Sequence, residues 1–416
     1  MQGNKRNLAL CRPSDGAVAV LIACHEWYRE EIGGSQKIAT ELAEYLSARG
    51  HRVFYVCGTR QRCSAGPAMA RGVELWRYRI PSSRLPRAWR LLRQILGSYR
   101  AARNALRQAA VTCVNGHTPL QFLGASLAAR RACTRHVYSV HSPFAEELAW
   151  ASQSRGAAWH RRTAAGLAGS IERMNCCRAD RIQCYSRWVA ELLGSEFGPR
   201  VAEKTVVTPG WVDVAAFRPP ENIAGTRRRL GGPWDTADPI FFCLRRLEPR
   251  MGVEELVRAA KGLSDQGFRF RVLIGGAGPL ELQLRRLAGE LRLGEHVFVL
   301  GRIPDEELPL CFAAADCFVL PTRALECFGL VILEAYACGT PVIATPVGAI
   351  PELVGQHGRE WLAAGIESRD IAERMAAFLR RDLAAGRSLL RQIAERYRSE
   401  AGLAALSQVV LGGAGG

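Results

Sequence analysis

The chain has 416 residues, of which 48% are hydrophobic and 23% charged, and its formal net charge is +17. This length allows two domains with complete cores, and the composition excludes a disordered or collagen-like chain. The 14 cysteines form no Cys-x-x-Cys pair and no Cys/His spacing typical of zinc. We therefore expect no metal site, and reduced thiols packed as small apolar residues of a cytoplasmic protein.

The net positive charge of the chain arises entirely from its first half. Residues 1–200 contain 30 Lys and Arg against 13 Asp and Glu, which accounts for the whole excess. Nine arginines and no acidic residue lie between Arg77 and Arg107. The positive electrostatic field of so many arginines attracts anionic partners such as phospholipid headgroups or phosphorylated acceptors. No aromatic and basic motif of nucleic-acid recognition is present, so nucleic acid is not an expected partner.

Short apolar segments alternate with longer helical patterns along the whole chain. The first, Ala17–Cys24, is too short to span a bilayer and lacks a signal-peptide layout, so it reads as a buried strand. The alternation predicts an α/β protein with two doubly wound domains. The predicted strands are Val18–Ala23, Val53–Val56, Val111–Val114, Val137–Val140, Ile182–Tyr185, Ile240–Leu244, Phe270–Ile274, Val297–Leu300, Cys317–Leu320 and Val342–Ala344.

Glycines and histidines follow several of the first-half strands. Gly33 and Gly34 precede a helical pattern, where glycine would let a ligand approach backbone N–H groups, although a simple turn uses the same dipeptide. His141 directly follows its strand, at the end where ligands bind to parallel sheets. His117 and His25 are weaker candidates, and for His25 a structural role is the more usual one.

The basic segment Pro86–Arg107 predicts an amphipathic helix. Its apolar stripe comprises Trp89, Leu92, Leu96, Tyr99 and Leu106, and its basic face comprises Arg93, Arg100 and Arg107. One interpretation is docking on an anionic membrane surface. The other, which we favour, is a core helix whose stripe packs on the sheet of the domain. The two are compatible if the arginines contact lipid while the stripe stays buried.

Two carboxylates stand eight residues apart in Glu326-Cys-Phe-Gly-Leu-Val-Ile-Leu-Glu334. The second lies in a predicted helix, Val331–Ala337, which leads into the strand Pro341–Ala344. Free N–H groups at a helix start favour phosphate, and carboxylates accept hydrogen bonds from neighbouring sugar hydroxyls. The segment therefore predicts a sugar-nucleotide site.

The Glu-x7-Glu spacing, the Phe-Gly-Leu run and the continuation Glu-Ala-x-Ala-x-Gly-x-Pro-Val resemble the retaining glycosyltransferases of group 1, family 4, which have the GT-B fold. The resemblance implies two Rossmann-like domains facing across a cleft. An acceptor-binding domain would span 1–207 and a nucleotide-sugar-binding domain 221–395, joined by a linker at 208–220 that is rich in proline. Residues 396–416 would hold a helix that crosses back to the first domain, and a glycine-rich tail.

The segment Leu244–Gly252 resembles the family sequence Gly-Arg-Leu-x-x-x-Lys-Gly. Arg246 stands at the family arginine, whereas Met251 stands at the lysine that holds the donor diphosphate. Guanidinium is a good phosphate ligand, so Arg245 and Arg250 are the candidates to replace that lysine.

By the same resemblance, His141, Arg246 and Glu326 are the expected catalytic residues, with His141 and Glu326 next to the transferred sugar. Glu334 is expected to hold the ribose hydroxyls. Further donor contacts, largely through the backbone, are expected at Gly33, Gly34, Gly276, Arg302, Ile303, Phe328, Gly329 and Leu330.

The resemblance implies a retaining transferase that needs no metal and no cofactor. It would move a hexose or N-acetylhexosamine from a nucleotide-sugar, expected to be a UDP-sugar, to a hydroxyl of a lipid-linked, saccharide or small natural-product acceptor. The basic first half would allow peripheral contact with the inner face of an anionic membrane. A GT-B epimerase or phosphorylase, or a donor-binding partner subunit with a weakened clamp, stay as alternatives.

Overall fold

A computed structural model describes residues 17–28, 33–60, 67–82, 85–129, 134–151, 158–381 and 386–412. The chain divides into two compact units. The first comprises Met1–Cys184, Ala190–Thr208 and Leu403–Gly416, and the second comprises Tyr185–Val189 and Pro209–Gly402.

The unit boundaries differ from the predicted domain boundaries in two places. The C-terminal segment that belongs to the first unit starts at Leu403 rather than at residue 396. Tyr185–Val189 belongs to the second unit, where the carboxylate of Glu352 accepts hydrogen bonds from the backbone N–H groups of Arg187 and Trp188. Residues 413–416 of the predicted tail lie outside the described residues.

An eight-stranded sheet forms the centre of the first unit. Its strands are β1 (Ala19–Ala23), β2 (Arg52–Thr59), β3 (Ala68–Ala70), β4 (Val73–Arg79), β5 (Cys113–Gly116), β6 (Arg135–Val140), β7 (Arg181–Cys184) and β8 (Thr205–Val207). They lie in the order β3-β4-β2-β1-β5-β6-β7-β8, and the pairing is parallel except between β3 and β4. The sequence did not predict β3, β4 and β8, because strands at and near the edges lack the continuous apolar run of a buried parallel strand.

A five-stranded parallel sheet forms the centre of the second unit. Its strands are β9 (Ile240–Leu244), β10 (Arg271–Gly275), β11 (Val297–Gly301), β12 (Cys317–Leu320) and β13 (Val342–Ala344). They lie in the order β11-β10-β9-β12-β13, and each was predicted to within about one residue at either end. The side chains of β9, β10, β12 and β13 are almost entirely buried, whereas those of the edge strand β11 are partly exposed. Buried strands show continuous apolar runs, which explains why these were easy to recognise.

Helices connect the strands in both units. They are α1 (Gly34–Ala48), α2 (Arg87–Ala105), α3 (Pro119–Ala128), α4 (Phe144–Ala151), α5 (Ala158–Arg178), α6 (Arg187–Phe197), α7 (Pro199–Glu203), α8 (Ile223–Leu230), α9 (Val253–Asp265), α10 (Glu281–Glu290), α11 (Leu308–Ala314), α12 (Leu330–Ala337), α13 (Ile350–Val354), α14 (Ser368–Leu379), α15 (Arg387–Glu395) and α16 (Ser399–Leu411), with 3-10 turns at Gly232–Trp234, Pro249–Met251 and Arg359–Trp361. In the part of the chain that the structure describes, no helix is both long and apolar enough to cross a membrane.

Each sheet has a point where the chain changes the direction in which strands are added. In the first sheet this point lies between β1 and β5, and in the second it lies between β9 and β12. The connections diverge there, so the carboxyl ends of the two strands leave a crevice in which ligands of such sheets bind. The loops that follow β5 and β6, and those that follow β9 and β12, carry most of the candidate site residues.

Helix α2 packs through its small residues. It buries Ser98, Ala102 and Ala105, and it lies against α3 at Gly124. A Cβ atom on Gly124 would stand only 2.5 Å from the carbonyl oxygen of Ile95. The two helix backbones therefore approach each other closely, and this contact leaves no room for large side chains.

Three large apolar side chains of α2 point into solvent. The exposed fractions are 58% for Trp89, 45% for Leu92 and 41% for Leu96. These residues share one helix face with Arg93 and Arg100, which are also exposed. The expectation that this stripe packs on the sheet is therefore wrong for these three residues. The opposite face of α2 is the buried one, because small residues there allow the close contact with α3 and because Leu91 and Ile95 pack into the core.

Candidate active site

Two consecutive arginines follow β9 in the second unit and take opposite directions. The side chain of Arg246 is 55% exposed, and its Nη1 lies 3.4 Å from Oε1 of Glu248. The side chain of Arg245 is only 10% exposed. Alternation along an extended backbone sends neighbouring side chains to opposite sides, so one guanidinium faces solvent and the other enters the protein.

The buried guanidinium of Arg245 meets one of the two predicted glutamates. Its Nη2 lies 2.6 Å from Oε2 of Glu326 and 2.9 Å from the sulfur of Met251. The same carboxylate oxygen accepts a hydrogen bond of 3.3 Å from the hydroxyl of Thr322. Nε of Arg245 is buried and has no hydrogen-bond partner among the described residues. Arg245 thus keeps an unused donor in a largely dehydrated site, where charge interactions are strong.

Arg250 is occupied by a structural contact. Its side chain is 9% exposed, and its Nη1 donates to the carbonyl oxygen of Leu325 at 3.3 Å. Arg250 therefore braces the loop that precedes Glu326. Of the two arginines considered as replacements for the family lysine, Arg245 is the one that contacts Met251.

Glycines with positive φ hold the backbone around this ion pair. Gly276 has a φ of 128°, and a Cβ there would lie 1.8 Å from the carbonyl oxygen of Arg245. Gly348 has a φ of 60°, and a Cβ there would lie 2.2 Å from the carbonyl oxygen of Glu326. Side chains are therefore excluded at both positions by sterics and by backbone conformation. The close approach of the Arg245 carbonyl oxygen thus explains why position 276 requires glycine.

Helix α12 starts one residue earlier than predicted, at Leu330, and carries Glu334. Gly329 precedes it in the left-handed conformation with a φ of 89°. Glu334 is only 8% exposed. Phe328 is 9% exposed and packs over Gly210, where a Cβ atom would lie 2.6 Å from its ring. The helix start that was predicted to bind phosphate is thus formed by a glycine turn.

The remaining second-unit candidates follow β11. Ile303 covers Gly275, since a Cβ on that glycine would lie 2.5 Å from its Cδ1 atom. Arg302 is exposed. The backbone N–H of Gly276 donates to the carbonyl oxygen of Gly301 at 2.7 Å. Gly276, Arg302 and Ile303 therefore lie together at the carboxyl ends of β10 and β11.

The candidate residues of the first unit lie after β1, at the start of α1, and after β5 and β6. Gly33 is the N-cap of α1 in extended conformation, and a Cβ on Gly34 would meet no atom within 4 Å. Neither glycine is required by the local backbone. The ring of His141 lies beside that of His117, with Nε2 and Nδ1 respectively 2.9 Å apart. His25 lies 3.9 Å from the carboxylate of Glu26.

The turn that follows His141 is held by a buried acid that the sequence did not single out. Glu172 on α5 is 0% exposed, and its Oε2 accepts the backbone N–H of Phe144 at 2.7 Å. Burial raises the pKa of this carboxyl to about 8. A lone acid inside a helical pattern offers no sequence signal of such a role.

Glu172→Gln should therefore stabilise the protein above neutral pH. The raised pKa means that the folded state binds the proton more tightly, so stability present below pH 4.5 is lost as pH rises towards about 8. The amide keeps an oxygen for the Phe144 N–H and carries no charge. In urea titrations the advantage of the variant should be near zero at pH 4 and should grow, above pH 4.5, by up to about 1.4 kcal/mol per pH unit towards pH 8. An advantage that is the same at both pH values would contradict this account.

Two family models match most of the chain. Residues 229–399 match the model described as glycosyl transferases group 1, and residues 32–216 match the model described as glycosyltransferase family 4. A GDP-mannose-dependent alpha-(1-6)-phosphatidylinositol monomannoside mannosyltransferase of Mycolicibacterium smegmatis is 35% identical over 242 residues, which cover 57% of this chain and 58% of the relative. A D-inositol 3-phosphate glycosyltransferase of Nocardia farcinica is 35% identical, covering 50% of this chain and 47% of the relative. The chain thus spans about half the length of the curated relatives it matches.

Solved structures share the fold over nearly the whole chain. Sucrose-phosphate synthase from Thermosynechococcus elongatus superposes with a TM-score of 0.78 at 21% identity, covering 94% of this chain and 98% of its own. Anabaena HepE, solved in complex with UDP and glucose, superposes with a TM-score of 0.71 at 19% identity, covering 95% of this chain and 100% of its own. At these identities the likeness establishes the fold alone. With two Rossmann-like units and both family models matched, the chain belongs to the group-1 glycosyltransferases of family 4 and has the GT-B fold.

Proposed function

We propose that this chain is a glycosyltransferase that moves a hexose from a nucleotide-sugar to a hydroxyl of a lipid-linked or saccharide acceptor. The observation that carries the proposal is the buried pair of Arg245 and Glu326 at the switch point of the second sheet. It places a cation for phosphate and a carboxylate for sugar hydroxyls within 2.6 Å of each other. Glu334, one helix turn into α12, supplies the second carboxylate.

In the proposed mechanism the protein positions the reactants and neutralises charge. Arg245, Arg246 and the start of α12 stabilise the diphosphate that leaves, so neither a metal nor another cofactor is needed. The acceptor hydroxyl attacks the face of the sugar from which the phosphate departs, and the phosphate takes the proton. The configuration at the sugar is retained, and the catalysis comes mainly from orientation.

For the donor we put forward GDP-mannose. The sequence alone led us to expect a UDP-sugar, but the mycobacterial relatives at 35% and 36% identity are named as GDP-mannose-dependent. UDP-sugars are the second choice. The purified chain would be incubated with UDP-, GDP- and ADP-sugars in EDTA, and nucleotide release and thermal shift would be measured. Release from one donor supports the proposal and identifies base and sugar, whereas no binding and no release from any donor would contradict it.

Glu334→Ala should raise the KM for that donor by about thirtyfold, because two hydrogen bonds to ribose hydroxyls are worth roughly 2 kcal/mol together. The effect on kcat should be small, since the ribose is remote from the bond that breaks. Glu290→Ala is the matched control, an exposed glutamate at the end of α10 and outside the donor site. Steady-state kinetics with a folded variant and an unchanged donor KM would remove Glu334 from the site.

We also propose that the exposed face of α2 rests on an anionic membrane. Trp89, Leu92 and Leu96 are 41–58% exposed, and Arg93 and Arg100 extend the same face. Apolar side chains that enter the headgroup region next to cations that pair with lipid phosphate are typical of interfacial helices. A lipid-linked acceptor would then lie in the same membrane.

Neutralising Arg93, Arg100 and Arg103 to glutamine should weaken binding to phosphatidylglycerol vesicles about a hundredfold, since each charge contributes roughly 1 kcal/mol. Trp89→Ser should weaken it further. The control replaces three exposed arginines of the second unit, Arg258, Arg286 and Arg369, and should change binding little. In flotation assays, no binding by the native chain, or equal losses in both triple variants, would overturn the membrane proposal.

A further inference from the structure

Leu325, the residue before Glu326, has a left-handed backbone with a φ of 60°. Among the described residues, three others that are not glycine have a positive φ, namely Arg71, Arg292 and Arg381. These arginines are exposed and stand in turns, one between β3 and β4 and two just past the ends of α10 and α14. Leu325 differs from them, because it is only 7% exposed and lies neither in a hairpin turn nor at a helix end.

A left-handed backbone is unfavourable for leucine. In this conformation the Cβ atom comes too close to the following carbonyl oxygen, a clash that glycine lacks. Bulky residues keep such a φ only where the surrounding contacts hold it, and residues held in this way cluster at functional sites. The contacts around Leu325 therefore show what the strained backbone does.

Arg250 holds the chain before and after the strained bond. The carbonyl oxygen of Arg250 accepts the backbone N–H of Arg323 at 2.9 Å, and Nη1 of Arg250 donates to the carbonyl oxygen of Leu325 at 3.3 Å. One residue further, the carbonyl oxygen of Glu326 accepts the backbone N–H of Ala349 at 2.8 Å. These hydrogen bonds fix the backbone from residue 323 to residue 326.

The direction of the Glu326 side chain depends on this turn. Its Oε2 lies 2.6 Å from Nη2 of Arg245 and 3.3 Å from the hydroxyl of Thr322, which stands four residues earlier in the chain. The angle φ is a rotation about the bond between N and Cα of Leu325. A negative φ would therefore swing Glu326 relative to Thr322, and the carboxylate would leave both partners.

We propose that Leu325 is a positioning residue whose left-handed backbone orients the carboxylate of Glu326 toward Arg245 and the transferred sugar. The inference rests on the proposed function, in which Glu326 meets the sugar hydroxyls. Glycine would adopt the same φ without strain, but it would also allow many other conformations. A buried leucine held by Arg250 keeps one conformation, so the carboxylate is already oriented when the donor arrives.

Urea titrations of Leu325→Gly and Leu325→Ala separate backbone strain from loss of the side chain. Alanine keeps one more buried carbon and has the less flexible unfolded chain, so packing alone would make the alanine variant the more stable. The left-handed backbone reverses this order, and we expect the higher urea midpoint in Leu325→Gly. Ala324→Gly is the control at a neighbour without a positive φ, and it should lower the midpoint. A higher midpoint in Leu325→Ala would overturn the proposal.

Kinetics in two backgrounds test whether Leu325 acts through Glu326. In the native chain, Leu325→Ala should lower kcat/KM for the donor about tenfold or more, and Leu325→Gly should lower it less. When Glu326→Ala is already present, adding Leu325→Ala should change kcat/KM less than about twofold, because no carboxylate remains to be oriented. Leu325→Met, unbranched and of similar volume, should keep nearly native kinetics. Equal losses in both backgrounds would show a merely structural role and would contradict the proposal.

Crystal structures of the full-length variants test the orientation without any turnover. We expect Oε2 of Glu326 to stay beside Nη2 of Arg245 in Leu325→Gly and to leave it in Leu325→Ala. A carboxylate that kept both partners in the alanine variant would overturn the proposal. If the native chain released no nucleotide from any donor, the proposed function would fail, while the urea midpoints and these structures would still decide whether Leu325 orients Glu326.

Discussion

Arg245→Gln is expected to lower kcat/KM for the nucleotide-sugar by about a hundredfold or more, a loss of roughly 3 kcal/mol at the transition state. The reason is that, in the proposed donor site, Met251 stands where the resemblance leads us to expect a lysine, and the guanidinium of Arg245 lies 2.9 Å from its sulfur. The variant also leaves Glu326 in a largely buried position without its partner at 2.6 Å, which costs further free energy. Steady-state kinetics and titration with GDP and GMP would measure both effects.

Adding Met251→Lys to Arg245→Gln should restore about tenfold of the lost activity or more, because an ammonium then stands next to the vacated site. Binding of GDP should recover with it, whereas GMP, which lacks the second phosphate, should respond less to either change. Arg258→Gln, an exposed arginine on α9, is the matched control. Native kinetics in Arg245→Gln, or no rescue by the lysine in a folded double variant, would show that another group holds the diphosphate.

Gly276→Ala is expected to abolish most activity and to destabilise the second unit by about 3 kcal/mol. The φ of 128° is unfavourable for any side chain, and the new methyl group would lie 1.8 Å from the carbonyl oxygen of Arg245. Either the glycine turn or the backbone of Arg245 must move. The displacement would shift the ion pair with Glu326, so activity should fall even in molecules that stay folded.

The matched control for this substitution is Gly289→Ala in the last turn of α10. A Cβ on Gly289 meets no atom within 4 Å, and alanine is the better helix former by about 1 kcal/mol. This variant should have native activity and slightly higher stability in urea titrations. If Gly276→Ala matched it in both stability and kinetics, the close approach of the two loops would not shape the site.

The second sheet was predicted almost to the residue because its strands are buried on both faces. Each appears as a short apolar run between turn residues, a signal that is local in the chain. Strand β4 in the first sheet was missed for the opposite reason, since its polar and apolar residues alternate near an edge. The face that α2 buries was also predicted wrongly, because the periodicity of Trp89, Leu92 and Leu96 cannot reveal that Gly124 admits a close helix contact.

The glutamate motif and the family followed from short-range spacing, since the seven residues between Glu326 and Glu334 already describe a glycine turn and the start of a helix. Local patterns of this kind can be read from neighbouring residues in the sequence, and the same holds for the strands and for the alternation of strands and helices that makes the fold α/β. The sequence could not decide between Arg245 and Arg250, because Arg245 contacts a carboxylate 81 residues away. The contact between the rings of His117 and His141 likewise joins loops that follow two neighbouring strands. Such contacts exist only once the sheet has brought distant loops together, and their directions follow from which atoms can donate and which can accept.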